Sequence, residues 1–406
     1  MSTSAEQIRA YAGPAFLSFG FRPFFLAGAI WSAVAVALWL PMLAGSLTLP
    51  TAFNLFDWHV HELLYGFLPA IVAGFLLTAV PNWTGRLPIL GTPLLLLFLL
   101  WIAGRIAVAT SALTGLWFAA AVDLAFLASL IAVIAREIIA GRNFRNLRVL
   151  VIISVLLVGN AVFHVEAGLG SGNGYGKRIG IAAAVLLISL VGGRIVPSFT
   201  RNWLVKREPG RLPVPFQRFD ALCVVAAAAA LLSWILAPDA IPTAILLLIA
   251  GGLHSIRLAR WAGERTTSER LVLVLHVAYA FIPLGFFLVA LSIVAPDVIS
   301  ASGALHGWTV GAVGLMTLAV MTRASLGHAG RELTATWPIM VLYAAVLTAA
   351  AARIMAAFEI ARMPMLHISA AAWVIAFGGF AIVYWPMLTR PWRLALLKGG
   401  IAPPRR

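Results

Sequence analysis

Cysteine and charge are what this chain has least of. Only one of its 406 residues is cysteine, Cys223, and only 11% are charged, with 14 acidic residues in all. A single thiol excludes an intramolecular disulfide and any site built from several cysteines, iron–sulfur clusters included. So little charge, beside 62% hydrophobic residues and a mean hydropathy of +0.98, excludes a soluble domain of this length. Long polar stretches are missing too, so the connections leave no room for a soluble domain. Cys223 itself sits in an apolar run, where it reads as a small core residue.

What is present is a series of runs of about 20 apolar residues, the length that crosses a bilayer as a helix. They lie near 24–45, 59–80, 91–109, 113–135, 147–167, 178–200, 218–237, 240–258, 271–294, 303–322, 335–357 and 366–388. The expected fold is therefore all-α, a polytopic integral membrane protein with about twelve transmembrane helices forming one domain over residues 1–406. Basic residues test the count, because Lys and Arg concentrate in cytoplasmic loops and a missed helix would scramble the pattern. Of the 29 basic residues, 23 fall on one side, while the opposite loops hold only Lys177, Arg178 and Arg362. Both termini are thus expected in the cytoplasm. Residues 1–20 lack the pattern of a cleavable signal peptide, so the first helix serves as its own insertion signal. The formal charge of +15 follows from the same rule and from contact with anionic lipid, and it does not call for a nucleic acid.

This topology sorts the eight histidines. His59 and His61 open the second helix, His164 lies near the end of the fifth, His306 opens the tenth and His367 opens the twelfth, all toward the outer face. His254, His276 and His328 fall toward the cytoplasm with Arg22, Arg86, Arg194, Arg201 and Arg323. The most informative stretch is Asp57-Trp58-His59-Val60-His61-Glu62-Leu63-Leu64-Tyr65. Ionisable groups at the mouth of a membrane helix are costly and therefore functional suspects, and imidazole is a common ligand for haem iron and copper. Residues two apart are separated by roughly 200° around a regular helix. Either the first turn is irregular, or His59 and His61 serve different centres. By spacing, Glu62 is the expected supporting partner of His59, Tyr65 of His61 and Glu166 of His164, with Asn160 one turn behind. The competing reading is that these polar groups merely satisfy one another between helices.

Weaker features complete the picture. Met363, Met365 and His367 form a soft set suited to Cu(I). His276 with Tyr279 at i+3 is a candidate redox or proton-transfer pair, and His276 a further candidate metal ligand. The inner ends of helices 2, 6 and 10 resemble one another around Val80-Pro81, Val196-Pro197 and Val320-Met321, each four helices after the last, which points to three four-helix units. Arg194 and Arg323 at those ends are candidate partners for haem propionates or another anion.

Several longer words carry a resemblance. They include Gly20-Phe21-Arg22-Pro23-Phe24-Phe25, Trp58-His59-Val60-His61-Glu62, residues 74–86 and 141–146, Phe163-His164-Val165-Glu166, and residues 192–203, 305–314 and 321–331. Together they span most of the chain, which on these words resembles the NnrS proteins, haem- and copper-containing membrane proteins of the bacterial response to nitric oxide. The resemblance implies an inner-membrane protein that binds haem and copper and relieves nitrosative stress, often in denitrifying organisms, with nitric oxide or a related small molecule and the lipid bilayer as its partners. His59, His61, His164 and His306 match the family's words and are the expected ligands. No residue pattern identifies an electron donor or a catalytic group. Two other classes compete. A transporter for metal or a small anion would use helices broken at Pro81 and Pro197. A respiratory haem–copper oxidase or nitric oxide reductase is disfavoured, since the chain has neither an adjacent His-His pair nor a His-Pro-Glu-Val-Tyr segment.

Overall fold

In hydrocarbon no water can satisfy a backbone amide, so an apolar run must close its own hydrogen bonds as a helix. The computed structural model describes residues 11–207 and 209–391, and among these it is all-helical, with no strand. Twelve helices are long and apolar enough to span a membrane: α1 (Phe21–Leu43), α2 (Leu55–Thr84), α3 (Thr92–Ala109), α4 (Leu116–Ala140), α5 (Phe144–Leu169), α6 (Tyr175–Leu204), α7 (Arg218–Leu236), α8 (Ile241–Ala259), α9 (Arg270–Val294), α10 (Ala301–His328), α11 (Trp337–Ala357) and α12 (Arg362–Thr389). The chain is an integral membrane protein. Arg9 and the tail residues Arg393, Lys398, Arg405 and Arg406, which enter the charge pattern, lie outside the described residues.

Three of the helices, α2, α6 and α10, outrun their apolar segments, and polar residues cap their starts. α2, expected over 59–80, starts where the Asn54 side chain accepts the Asp57 N–H at 2.9 Å, and it stops at Gly85 with φ 69°. Ser300 caps α10 by accepting the Gly303 N–H at 3.2 Å. Glu166 caps α6 from the end of α5, accepting the N–H groups of Tyr175 (2.7 Å) and Gly176 (2.9 Å).

Burial separates the helices into two kinds. In α2, α6 and α10 the most apolar windows are 83, 67 and 78% buried, whereas the other nine lie between 33 and 56%. These three touch one another at the centre. Large apolar side chains such as Leu96, Ile106, Phe118, Val158, Leu248 and Ile382 stay exposed on the surrounding helices, as a lipid-facing surface requires. α1 packs on α12, so the two ends of the bundle meet. Each central helix also contains a wide π-helical stretch, Glu62–Phe67 in α2, Ile188–Gly192 in α6 and Gly307–Gly314 in α10. Such stretches insert an extra residue, re-aim the side chains around them and cluster at functional sites.

Candidate metal and cofactor sites

His61 sits at the end of the regular first segment of α2, immediately before its π-helical stretch, and is fully buried. Its Nδ1 lies 3.0 Å from Glu62 Oε1, and its Nε2 lies 3.1 Å from Asn160 Oδ1 and 3.2 Å from Asp123 Oδ2. His164 Nε2 reaches the same Asp123 oxygen at 3.1 Å, and Asn160 donates to that oxygen at 2.7 Å. Arg105 from α3 joins both acids, at 2.8 Å to each Glu62 oxygen and by a short contact to Asp123 Oδ1. The Trp31 indole N–H closes the network on Glu62 at 2.6 Å. One ligand atom from each of His61, Asp123 and His164 falls within 4.8 Å of the others, so this group could hold a metal ion. The two carboxylates are balanced by the Arg105 guanidinium and by His61, whose two nitrogens both face acceptor oxygens, so a metal ion held here takes the place of a His61 proton.

His59 faces elsewhere. Its ring stacks on Trp39, with centroids 4.5 Å apart and planes 29° apart, and it borders a cavity of about 830 Å³. His306 borders the same cavity from α10. Apolar side chains including Val36, Leu63, Leu68, Val313, Leu366 and Trp373 form most of the wall, while Lys177, Arg353 and Arg362 add three cations. The His306 ring is fixed by two partners. Its Nδ1 lies 3.0 Å from the Ser302 carbonyl and 3.2 Å from that of Gly303, and Arg353 Nη2 approaches its Nε2 at 2.6 Å. The Nδ1 of His59 is buried without a hydrogen-bond partner.

α2 thus directs His59 and His61 to different places, and the turn that carries them is regular. The π-helical stretch that follows brings Glu62 onto His61, where spacing had put it with His59. Tyr65 does contact the His61 ring, with centroids 5.7 Å apart, but its hydroxyl donates to the Gly176 carbonyl at 2.6 Å. Glu166 does not support His164; it caps α6, and Asp123 takes that place.

Arg194 and Arg323 do not line the cavity. Arg194 donates to Asn146 at 3.3 Å, and the Arg323 guanidinium lies 4.3 Å over the Phe199 ring. His276 belongs to neither group: its Nε2 meets the Thr200 hydroxyl at 2.7 Å. Nor does Tyr279 pair with His276. Its hydroxyl lies 2.9 Å from His254 Nδ1 and accepts from Arg257 at 2.9 Å, while Arg257 also reaches Asp220 at 3.1 Å. Met363 reaches the cavity wall, whereas the exposed His367 turns its Nδ1 to the Met363 carbonyl at 2.8 Å.

Reasoning from histidine spacing passed over Asp123, Arg105 and Arg353. A signal was there, since each is an ionised group inside an otherwise apolar run, where it is rare and costly unless paired. The words shared along the chain fall on both groups: Trp58 to Glu62 and Phe163 to Glu166 carry three of the imidazoles, and the stretch from Leu305 carries the fourth. No curated protein matches the chain. The family model described as NnrS protein matches residues 15–392, which include every side chain of both groups, and the chain belongs to the NnrS family.

Proposed function

We propose that this chain is a haem- and copper-binding protein of the bacterial inner membrane that serves the response to nitric oxide, binding or detoxifying the gas or protecting against its effects. The observation that carries the reading is the presence of two separate imidazole groups, one around a large apolar cavity with cations, the other in a compact polar cluster. The residues fit the two cofactors. A cavity of about 830 Å³ lies within the range of about 300–1,000 Å³ usual for small-molecule pockets, and its apolar walls, two imidazoles and three cations suit a macrocycle with acidic side arms. The cluster offers two nitrogens and one oxygen at metal-binding spacing, and imidazole suits copper. When bound, haem would supply an iron that the gas can reach in exchange for a protein ligand, and copper would supply one-electron chemistry.

The chain's own contribution is positioning and exclusion. Buried ion pairs hold His61 and His164 in fixed orientations, Trp39 fixes the plane of His59, and apolar side chains form most of the cavity wall. An absorption spectrum and copper analysis of the detergent-purified protein, oxidised, reduced and after addition of nitric oxide, test the reading. A Soret band that shifts with nitric oxide, alongside bound copper, is expected. A colourless, metal-free preparation from haem- and copper-replete cells would overturn it in favour of transport of a metal or small anion.

A further inference from the structure

Resting on that reading, we infer a division of labour: His59 and His306 ligate a single haem iron across the cavity, Arg353 binds its propionates, and His61, Asp123 and His164 hold copper in the +1 state.

The tautomer of His306 is the first support. A guanidinium only donates hydrogen bonds, so the contact from Arg353 at 2.6 Å makes His306 Nε2 the acceptor, and Nδ1 carries the proton given to the Ser302 carbonyl. The lone pair therefore sits on Nε2, and a ring N–H tied to a backbone carbonyl is the arrangement that orients metal-bound histidines. Arg353 occupies the lone pair that iron would take. Because Arg353 also borders the cavity, its planar fork would be within reach of a carboxylate there once iron took that lone pair. His59 supplies the second imidazole. It borders the same cavity, and its plane is set by Trp39.

The polar cluster cannot take the macrocycle. His61 is fully buried with both nitrogens engaged, and Phe53 stacks on its ring with centroids 5.1 Å apart. A single ion fits, because the three ligand atoms already lie within 4.8 Å of one another. Charge selects its valence. Both His61 nitrogens face acceptor oxygens, so the ring is an imidazolium that balances Glu62, Asp123 and Arg105; a +1 ion taking the place of one His61 proton keeps the buried group neutral, whereas a +2 ion would leave it charged.

The test compares haem and copper content in the full-length purified protein. His306→Ala and His59→Ala should each convert a low-spin, six-coordinate haem spectrum to a high-spin one or lose the haem, with copper unchanged. His61→Ala and Asp123→Asn should lose copper with the Soret band unchanged. His164→Gln, which disturbs a single ring contact to Asp123, carries the copper test if Asp123→Asn does not fold. Haem-depleted protein titrated with haemin and with haemin dimethyl ester isolates Arg353. Arg353→Ala frees His306 Nε2 for both compounds alike, so it should lower the affinity for haemin about tenfold relative to that for the ester, the order set by one charge-assisted hydrogen bond. Loss of copper on changing His306, or of haem on changing His61, overturns the division while leaving the haem and copper reading intact. A wild-type protein with neither cofactor overturns both.

Discussion

Removing Arg105 would leave the carboxylates of Glu62 and Asp123 side by side in a low-dielectric interior with His61 as the one ionic partner they share. Breaking a buried ion network from one side costs about 3–5 kcal/mol, because the abandoned charge keeps its desolvation penalty. Arg105→Ala is therefore expected to lower the thermal unfolding midpoint in detergent sharply, and Arg105→Lys to fall between it and the wild type, since a lysine keeps the charge but not the fork that spans both acids. An unchanged midpoint for Arg105→Ala would remove the network as a structural support. The same residue marks the limit of what could be read from the chain. His59, His61, His164 and His306 stood out because histidine is rare in membrane helices and the pattern of basic residues puts them, with His367, toward one side. Their sorting into two groups was legible only as a choice, from the angle between His59 and His61. The partners were not: Glu62 turns to His61 through a π-helical stretch that no spacing rule anticipates, and Asp123 reaches His164 from a helix adjacent only in three dimensions.

At the scale of the helix, close approach decides which groups can meet. α2 and α6 come together where Gly180 faces the ring and hydroxyl of Tyr65, and a Cβ at Gly180 would meet the Tyr65 hydroxyl oxygen first. That hydroxyl is held by the Gly176 carbonyl at 2.6 Å. Gly180→Ala should then overpack the contact, at about 1–3 kcal/mol. Tyr65→Phe removes the nearest of the atoms in the way, leaving the ring carbon and a Leu64 methyl, so the double variant should unfold at a smaller penalty than the two single changes summed. Additive losses would mean that the helices separate rather than clash. Helix number and order were readable because a bilayer demands about 20 apolar residues per span. The ends were less so: α2, α6 and α10 run past their apolar segments, since side-chain caps from Asn54, Glu166 and Ser300 continue the helix into polar sequence.

Three central helices spaced four apart, each with a π-helical stretch and each touching the other two, give the whole molecule a repeating plan at the level of architecture. The resemblance between the inner ends of helices 2, 6 and 10 pointed to that plan from sequence. Its functional content is asymmetric. His59, His61 and His306 lie on the first and third central helices, with His164 on α5, whereas α6 contributes none of the four imidazoles. The cavity lies toward one face, bordered by the α2, α10 and α12 starts, and the compartment it opens to depends on how the bundle is inserted. Basic residues predict that both termini are cytoplasmic and that the cavity faces outward. A reporter that is active only in the cytoplasm, fused after Arg390, should be active, and the same reporter inserted at Asp239 between α7 and α8 should be silent. The reverse pattern would turn the cavity to the cytoplasm, so that whatever enters it would do so from inside the cell and Lys177 and Arg362 would become inner-face charges against the positive-inside rule.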